Sequence, residues 1–193
     1  MLRSLLTSEL CLLDLSSLPR AGIKGKDISQ WIKSQSYKVG AKSNNCYEQR
    51  DGVLIARLSP GELLLLTNPA NPSLLNTIHS VEMTYKCYPV RRQDSHYWFA
   101  AIGTRSPEMF AKLSGVDLSH NFFNDHSVAQ TSVAQTSAVI VRRDIVDIPC
   151  YYLLGDSSTA LYMWTCLVEA IREFDGQVLE PRALENITGL AGD

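Results

Sequence analysis

The chain has 193 residues, enough for one domain of ordinary size, or for two small halves, with most apolar side chains buried. At 45% hydrophobic, 20% charged and a net charge of -2, it has the balance of a soluble globular protein, and nothing points to nucleic acid or an anionic membrane as partner. Five scattered cysteines (Cys11, Cys46, Cys87, Cys150, Cys166) contain no CxxC pair, which argues against a zinc site and a disulfide framework and predicts a reducing, cytoplasmic location.

The opening Met1 to Leu13 is apolar but broken by Glu9, with Asp14 following, so neither a signal peptide nor a membrane span is expected. Cys11 to Leu15 and Ala21 to Lys24 read as strands, joined irregularly through Pro19, which has no N–H for a ladder. From Lys26 the period changes: Ile28, Trp31 and Ile32 fall at i, i+3, i+4 and predict a helix ending near Gln35. Gly25 lets the strand turn sharply into it; a glycine there can also admit a phosphate, but tight packing is the plainer reading. Asn45 to Arg50, Val53 to Leu58 and Glu62 to Thr67 are three further strands. Ser59-Pro60-Gly61-Glu62 predicts a type II turn with Gly61 at positive φ. The unbroken run Leu63 to Leu66 predicts burial on both faces. Asn71-Pro72 should cap and start a helix with Leu74, Leu75 and Ile78 inside and His79 near its end.

Val81 to Val90 and Tyr97 to Ile102 follow as strands, then Ser106-Pro107 as cap and start of a helix carrying Met109, Phe110 and Leu113 and stopped by Gly115. Val116 to His126 reads as loop. A tandem repeat follows, Ser127-Val128-Ala129-Gln130-Thr131 and Ser132-Val133-Ala134-Gln135-Thr136; its odd length inverts strand facing between copies, so it reads as a local duplication without a binding stripe. Ala138 to Arg142 and Ile148 to Leu154 are strands around a charged turn at Arg143-Asp144. The last helix takes Asp156, Ser157 or Ser158 as cap, has Gly176 beyond its end, and places Leu161, Trp164, Val168 and Ile171 on a buried face. The tail after Leu179 has only weak periodicity.

The order strand-strand-helix-strand-strand-strand-helix thus occurs twice, an α+β arrangement of antiparallel sheets with helices on one side. We expect a single domain of two pseudo-repeated halves, about 11–80 and 81–176. Ser17 and Gly25 are echoed at the same separation by Ser95 and Gly103.

Asp94-Ser95-His96 contains the residue types of a hydrolase triad, but neighbours on an extended segment point to opposite faces and cannot converge, so a local turn is expected. His79, His96, His120 and His126 show no ligand spacing and no metal is assigned; nucleotide motifs are absent. Arg91-Arg92 and Arg142-Arg143 would form a basic patch if their strands were neighbours, with a solvated sheet edge as the simpler alternative.

Leu13-Asp14-Leu15-Ser16, Gly22-Ile23-Lys24-Gly25, Trp31-Ile32, the run Arg57 to Leu66 and Asp94-Ser95-His96 together resemble the sarcosine oxidase gamma subunit family, over the chain to about Phe174. That family is similar to the folate-binding domain of the glycine-cleavage T-protein (aminomethyltransferase). The resemblance implies a T-protein-like fold of duplicated β2-α-β3-α halves with first strands exchanged. It also implies an accessory, non-catalytic role in a heterotetrameric complex that oxidises sarcosine or a related N-methyl amine and feeds one-carbon metabolism. FAD, FMN, NAD and tetrahydrofolate then belong to alpha and beta subunits, the expected partners, and this chain carries no cofactor and no catalytic residue. The T-protein pattern Gly-Glu-Asp-Gly-Tyr-Glu falls on Asp147-Ile148-Pro149-Cys150-Tyr151-Tyr152, so both glutamate positions, Ile148 and Tyr152, lack the carboxylate that pteridine N–H donors require. Asp51, in Asp51-Gly52, is the one candidate remnant of a folate site, with a plain Asp-Gly turn as the other reading. The alternative function is a stand-alone folate-binding, aminomethyltransferase-like protein; a hydrolase using Ser95 and His96 ranks last.

Overall fold

The computed structural model describes residues 9–72 and 85–184; the helix expected beyond Asn71-Pro72, with His79, and the start of the strand expected from Val81 lie outside them. In chain order the elements are β1 (Cys11–Asp14), β2 (Arg20–Gly25), α1 (Ile28–Ser34), β3 (Asn45–Glu48), β4 (Leu54–Ser59), β5 (Glu62–Leu66), β6 (Cys87–Val90), the single-turn α2 (Arg92–Ser95), β7 (His96–Ile102), α3 (Ser106–Ala111), β8 (Val128–Val133), β9 (Thr136–Arg142), β10 (Cys150–Asp156), α4 (Ala160–Arg172) and β11 (Gln177–Leu179). One sheet runs β3-β4-β5-β2-β6 and the other β11-β1-β7-β10-β9-β8. All neighbours are antiparallel except β1 and β11.

The two sheets have one plan. Read outward-in, β3-β4-β5-β2-β6 matches β8-β9-β10-β7-β1, with β11 added beside β1. The first strand of the chain therefore lies among second-half strands, and β6, the described strand that opens the second half, lies beside β2. Two compact units follow: Leu18–Ser95, and the segments on either side of it.

In the five-stranded unit Ile28, Trp31 and Ile32 of α1 pack on Ala21, Ile23, Ile55, Leu63 and Leu65, as the helical spacing requires. Leu63 to Leu66 are all buried, the expected two-sided strand. Gly25 and Gly103, the echoed glycines, prove equivalent. Their φ angles are 153° and 134°, and a Cβ on either would lie 2.2 Å from a carbonyl oxygen of the adjoining segment, Lys86 O for Gly25 and Glu9 O for Gly103. Those same oxygens accept hydrogen bonds from Lys26 N (3.0 Å) and Arg105 N (3.1 Å). The phosphate reading of Gly25 gives way to close packing. The hairpin at Ser59 to Glu62 forms, but Gly61 does not take a positive φ, so the turn is not type II. Instead its carbonyl accepts from Gly25 N at 3.0 Å, and its own Cβ position faces Gly25 O at 3.2 Å.

In the six-stranded unit α4 buries Met163, Leu167, Ala170 and Ile171 against Leu12, Phe99, Leu153 and their neighbours. The predicted face was centred too far round: Trp164 and Val168 are flanking, and Leu161 is 80% exposed. At 100° per residue Leu161 stands roughly 130° from the buried centre. Asp156 caps the 3-10 turn Ser157–Thr159 that leads into α4, its Oδ1 accepting from Ser158 N at 2.9 Å; the cap residue of α4 itself is Thr159, with no side-chain cap bond. Ser106 does not cap α3; Arg105 is the cap residue, and the Ser106 hydroxyl is buried without a hydrogen bond. α3 stops at Ala111, before Gly115. The strand expected from Ile148 begins at Cys150, because Val146 and Asp147, both at positive φ, hold a turn closed by Ile145 and Ile148. β11, absent from the sequence expectation, is a three-residue strand that follows the chain out of α4 and pairs with β1.

The tandem repeat shows how weak local sequence can be against tertiary position. Ala129-Gln130 sits inside β8, whereas Ala134-Gln135, the same pair one copy on, forms the two-residue turn between β8 and β9 with φ of 44° and 64°. Val128 and Val133 are both buried, on opposite faces, as an odd repeat dictates.

Candidate functional site

Asp51 stands at an exposed turn after β3. Its Oδ1 accepts from Val53 N at 3.1 Å, while Asn68 Nδ2 donates to its carbonyl at 3.1 Å and Gly52 takes φ 79°. The Asp-Gly turn geometry is thus present. Beside it is a depression of about 450 Å³ lined by Tyr37, Lys38, Glu48, Gln49 and Asp51 among others. Gln49 ties its rim together, accepting from Lys38 N at 2.8 Å and donating to Lys38 O at 3.2 Å. Burial, and then the nearby Asp51 charge, raise the Tyr37 hydroxyl pKa above its ordinary value.

Ile148 lies in the turn before β10, and Tyr152 is buried, edge-on to Trp98 with ring centroids 5.4 Å apart. Neither position offers a carboxylate, and burial of Tyr152 leaves no place there for paired pteridine donors. The residues at these positions do not fit folate.

Asp94-Ser95-His96 bridges α2 and β7. Ser95 Oγ donates to Arg91 O at 2.9 Å, the local turn bond expected in place of a triad. His96 instead faces a residue that sequence reasoning did not connect with it, Asp156, its direct cross-strand partner on β10. Both line a depression of about 520 Å³ together with Gln130, Ser132, Ser137 and Val139. Hydrogen bonds from Ser158, and then the proximity of His96, hold the Asp156 carboxyl below the usual range.

His120 and His126 belong to a structural cluster. Buried Arg142 donates to Asp144 through Nε (2.8 Å) and Nη2 (2.6 Å) and to Phe123 O through Nη1, and its Nη2 lies 2.7 Å from His120 Nδ1. Tyr151 donates to Leu118 O at 2.8 Å, and Asp125 accepts from Asp144 N at 2.8 Å. These bonds clamp the 116–126 loop to the sheet. No group of metal-ligating side chains occurs among the described residues. The two arginine pairs are not on neighbouring strands: β6, which precedes Arg91-Arg92, belongs to the five-stranded sheet and β9, which ends at Arg142, to the other, with Arg92 paired to Glu62 and Arg142 to Asp144. All five cysteines are free thiols. Among the described residues no helix is long and apolar enough to cross a membrane.

The sequence matches no protein-family model and no curated protein. The fold does find relatives. A chain of the heterotetrameric sarcosine oxidase from Corynebacterium sp. U-96, solved in complex with pyrrole 2-carboxylate, is similar with a TM-score of 0.72 at 17% identity, over 86% of this chain and 85% of that one. The glycine cleavage system aminomethyltransferase T from Bartonella henselae is similar with a TM-score of 0.73 at 13% identity, over 100% of this chain and 54% of that one, so this chain spans about half its length. The α+β, T-protein-like fold inferred from the sequence motifs is the fold observed, and the structural relatives are of the two kinds that those motifs resemble.

Proposed function

We propose that this chain is an accessory, non-catalytic subunit of gamma type in a heteromeric enzyme that oxidises sarcosine or a related N-methyl amine and passes the carbon to tetrahydrofolate. The observation that supports this most is coextension: similarity to a sarcosine oxidase chain covers 86% of this chain and 85% of that one, whereas the aminomethyltransferase chain is about twice as long. Absence of carboxylates at Ile148 and Tyr152 agrees with a role other than binding the pteridine. In this reading the complex is a cytoplasmic heterotetramer, and FAD, FMN, NAD and tetrahydrofolate belong to alpha- and beta-type partners. Co-expression with such subunits should yield a stable complex that survives gel filtration, with this chain colourless when purified alone. A chain that elutes free of its co-expressed partners would refute the proposal.

The alternative, a stand-alone folate-binding aminomethyltransferase-like protein, draws on one feature, the exposed Asp51 carboxylate at the rim of its depression. It requires tetrahydrofolate to raise the melting temperature, since ligand at about a hundred times its dissociation constant adds about 2.7 kcal/mol. An unchanged melting curve at saturating folate removes it.

A further inference from the structure

Two stretches left unused by the subunit reading, Asp94-Ser95-His96 and the tandem repeat, meet in the depression on the six-stranded sheet. Register explains how. Asp156 pairs with His96, Gly155 with Ala138, and Ser132 with Ser137, so a transverse row His96, Asp156, Ser137, Ser132 runs over β7, β10, β9 and β8. Two residues along each strand, Leu154 pairs with Val139 and Val139 with Gln130, which sets an apolar pair behind the polar row. Alternation puts all of these on one face.

The order within the row decides what it can do. Asp156 stands between His96 and Ser137, so the imidazole is not placed between hydroxyl and carboxylate as nucleophile activation needs. Binding is what remains. No lysine or arginine lines the depression, and its one carboxylate is held ionised by Ser158 and His96, which disfavours anions. Asp156 and His96 alone are too few side chains for a metal centre.

We propose that this depression binds a small organic ammonium ion, a primary or secondary amine with a short apolar arm, with Asp156 pairing the charge, the Ser137 hydroxyl on the adjacent strand accepting a second N–H bond, and Leu154 and Val139 against the arm. The proposal does not rest on the subunit reading, since it concerns this chain alone.

The test is an NMR titration of the isotope-labelled full chain with N-methylbutylamine hydrochloride, following the His96 ring and the Gln130 side-chain amide. The uncharged analogue 2-hexanol and the anion valerate are titrated in parallel. Saturable shifts with the amine at roughly millimolar affinity are expected, and none with valerate. Asp156→Asn keeps an acceptor for Ser158 but removes the charge, and should weaken binding by about tenfold or more. Ser137→Ala, a milder change, should weaken it by roughly threefold. Equal affinity for the alcohol, amine binding unchanged by either variant, or no shift of His96 and Gln130 would each overturn the assignment.

Discussion

Replacing Gly103 by alanine should be among the most damaging single-methyl changes this chain can suffer. At φ 134° an L side chain is strained, a cost of about 1–3 kcal/mol. The added Cβ would also lie 2.2 Å from Glu9 O and 3.0 Å from Leu10 Cα, so the segment leading into β1 must retreat by about 1 Å to restore ordinary contact. That retreat pulls on the Arg105 N to Glu9 O bond, worth about 1 kcal/mol. Together the loss should be about 3–5 kcal/mol, or about 10 °C in melting temperature for a chain of this size. Urea denaturation followed by tryptophan fluorescence measures it, with Gly115→Ala as reference because nothing lies within 4 Å of that position. Gly25→Ala should cost about as much as Gly103→Ala, because Lys86 O stands at the same 2.2 Å. A Gly103→Ala loss below about 1 kcal/mol, or one equal to that of Gly115→Ala, would refute both the packing argument and the equivalence of the two joints.

Ser106→Ala should leave stability unchanged or raise it by about 1 kcal/mol, because the buried hydroxyl makes no hydrogen bond; a true cap would lose about that much, and urea midpoints distinguish the two. Arg142→Gln should cost about 3 kcal/mol by leaving Asp144 and the Phe123 carbonyl unsatisfied, and limited proteolysis should then cut faster within 116–126. Burial pushes the hydroxyls of Tyr97 and Tyr151 up to about 12. The folded state therefore holds these protons more tightly than the unfolded chain, so this contribution to stability is intact below about pH 10 and lost as pH rises through 12. An alkaline titration should show the two tyrosinates appearing together with loss of near-ultraviolet circular dichroism; their ionisation in the intact fold would contradict the burial.

What could be read from the sequence was local. Ile28, Trp31 and Ile32 declare a helix face because a single element decides which of its own residues turn inward, and Leu63 to Leu66 declare two-sided burial for the same reason. The echo of Gly25 in Gly103 was visible as a spacing, but the carbonyls that require it come from Lys86 and Glu9, remote in sequence. Leu161 was misplaced because four apolar residues at plausible spacing do not say where the buried arc of α4 is centred; packing against Leu12, Phe99 and Leu153 does. Asp51-Gly52 was legible as a turn from composition alone. The pairing of His96 with Asp156 was not, since it depends on the register of β7 against β10 and on nothing either residue carries by itself.

The exchanged first strand also sets a timetable. β1 leaves the ribosome early, yet its antiparallel partner β7 begins at His96 and its other neighbour β11 only at Gln177. The whole five-stranded sheet can emerge in between, while Cys11, Leu12 and Leu13, which end up at 1% exposure or less, have no strand to join. At ordinary elongation rates that wait is on the order of ten seconds before β7 is available. Closing so long a loop is also entropically slow. An apolar strand held unpaired for that time is a natural site for a chaperone or for misassociation between nascent chains. The strand exchange is thus the point at which the making of this protein is most exposed.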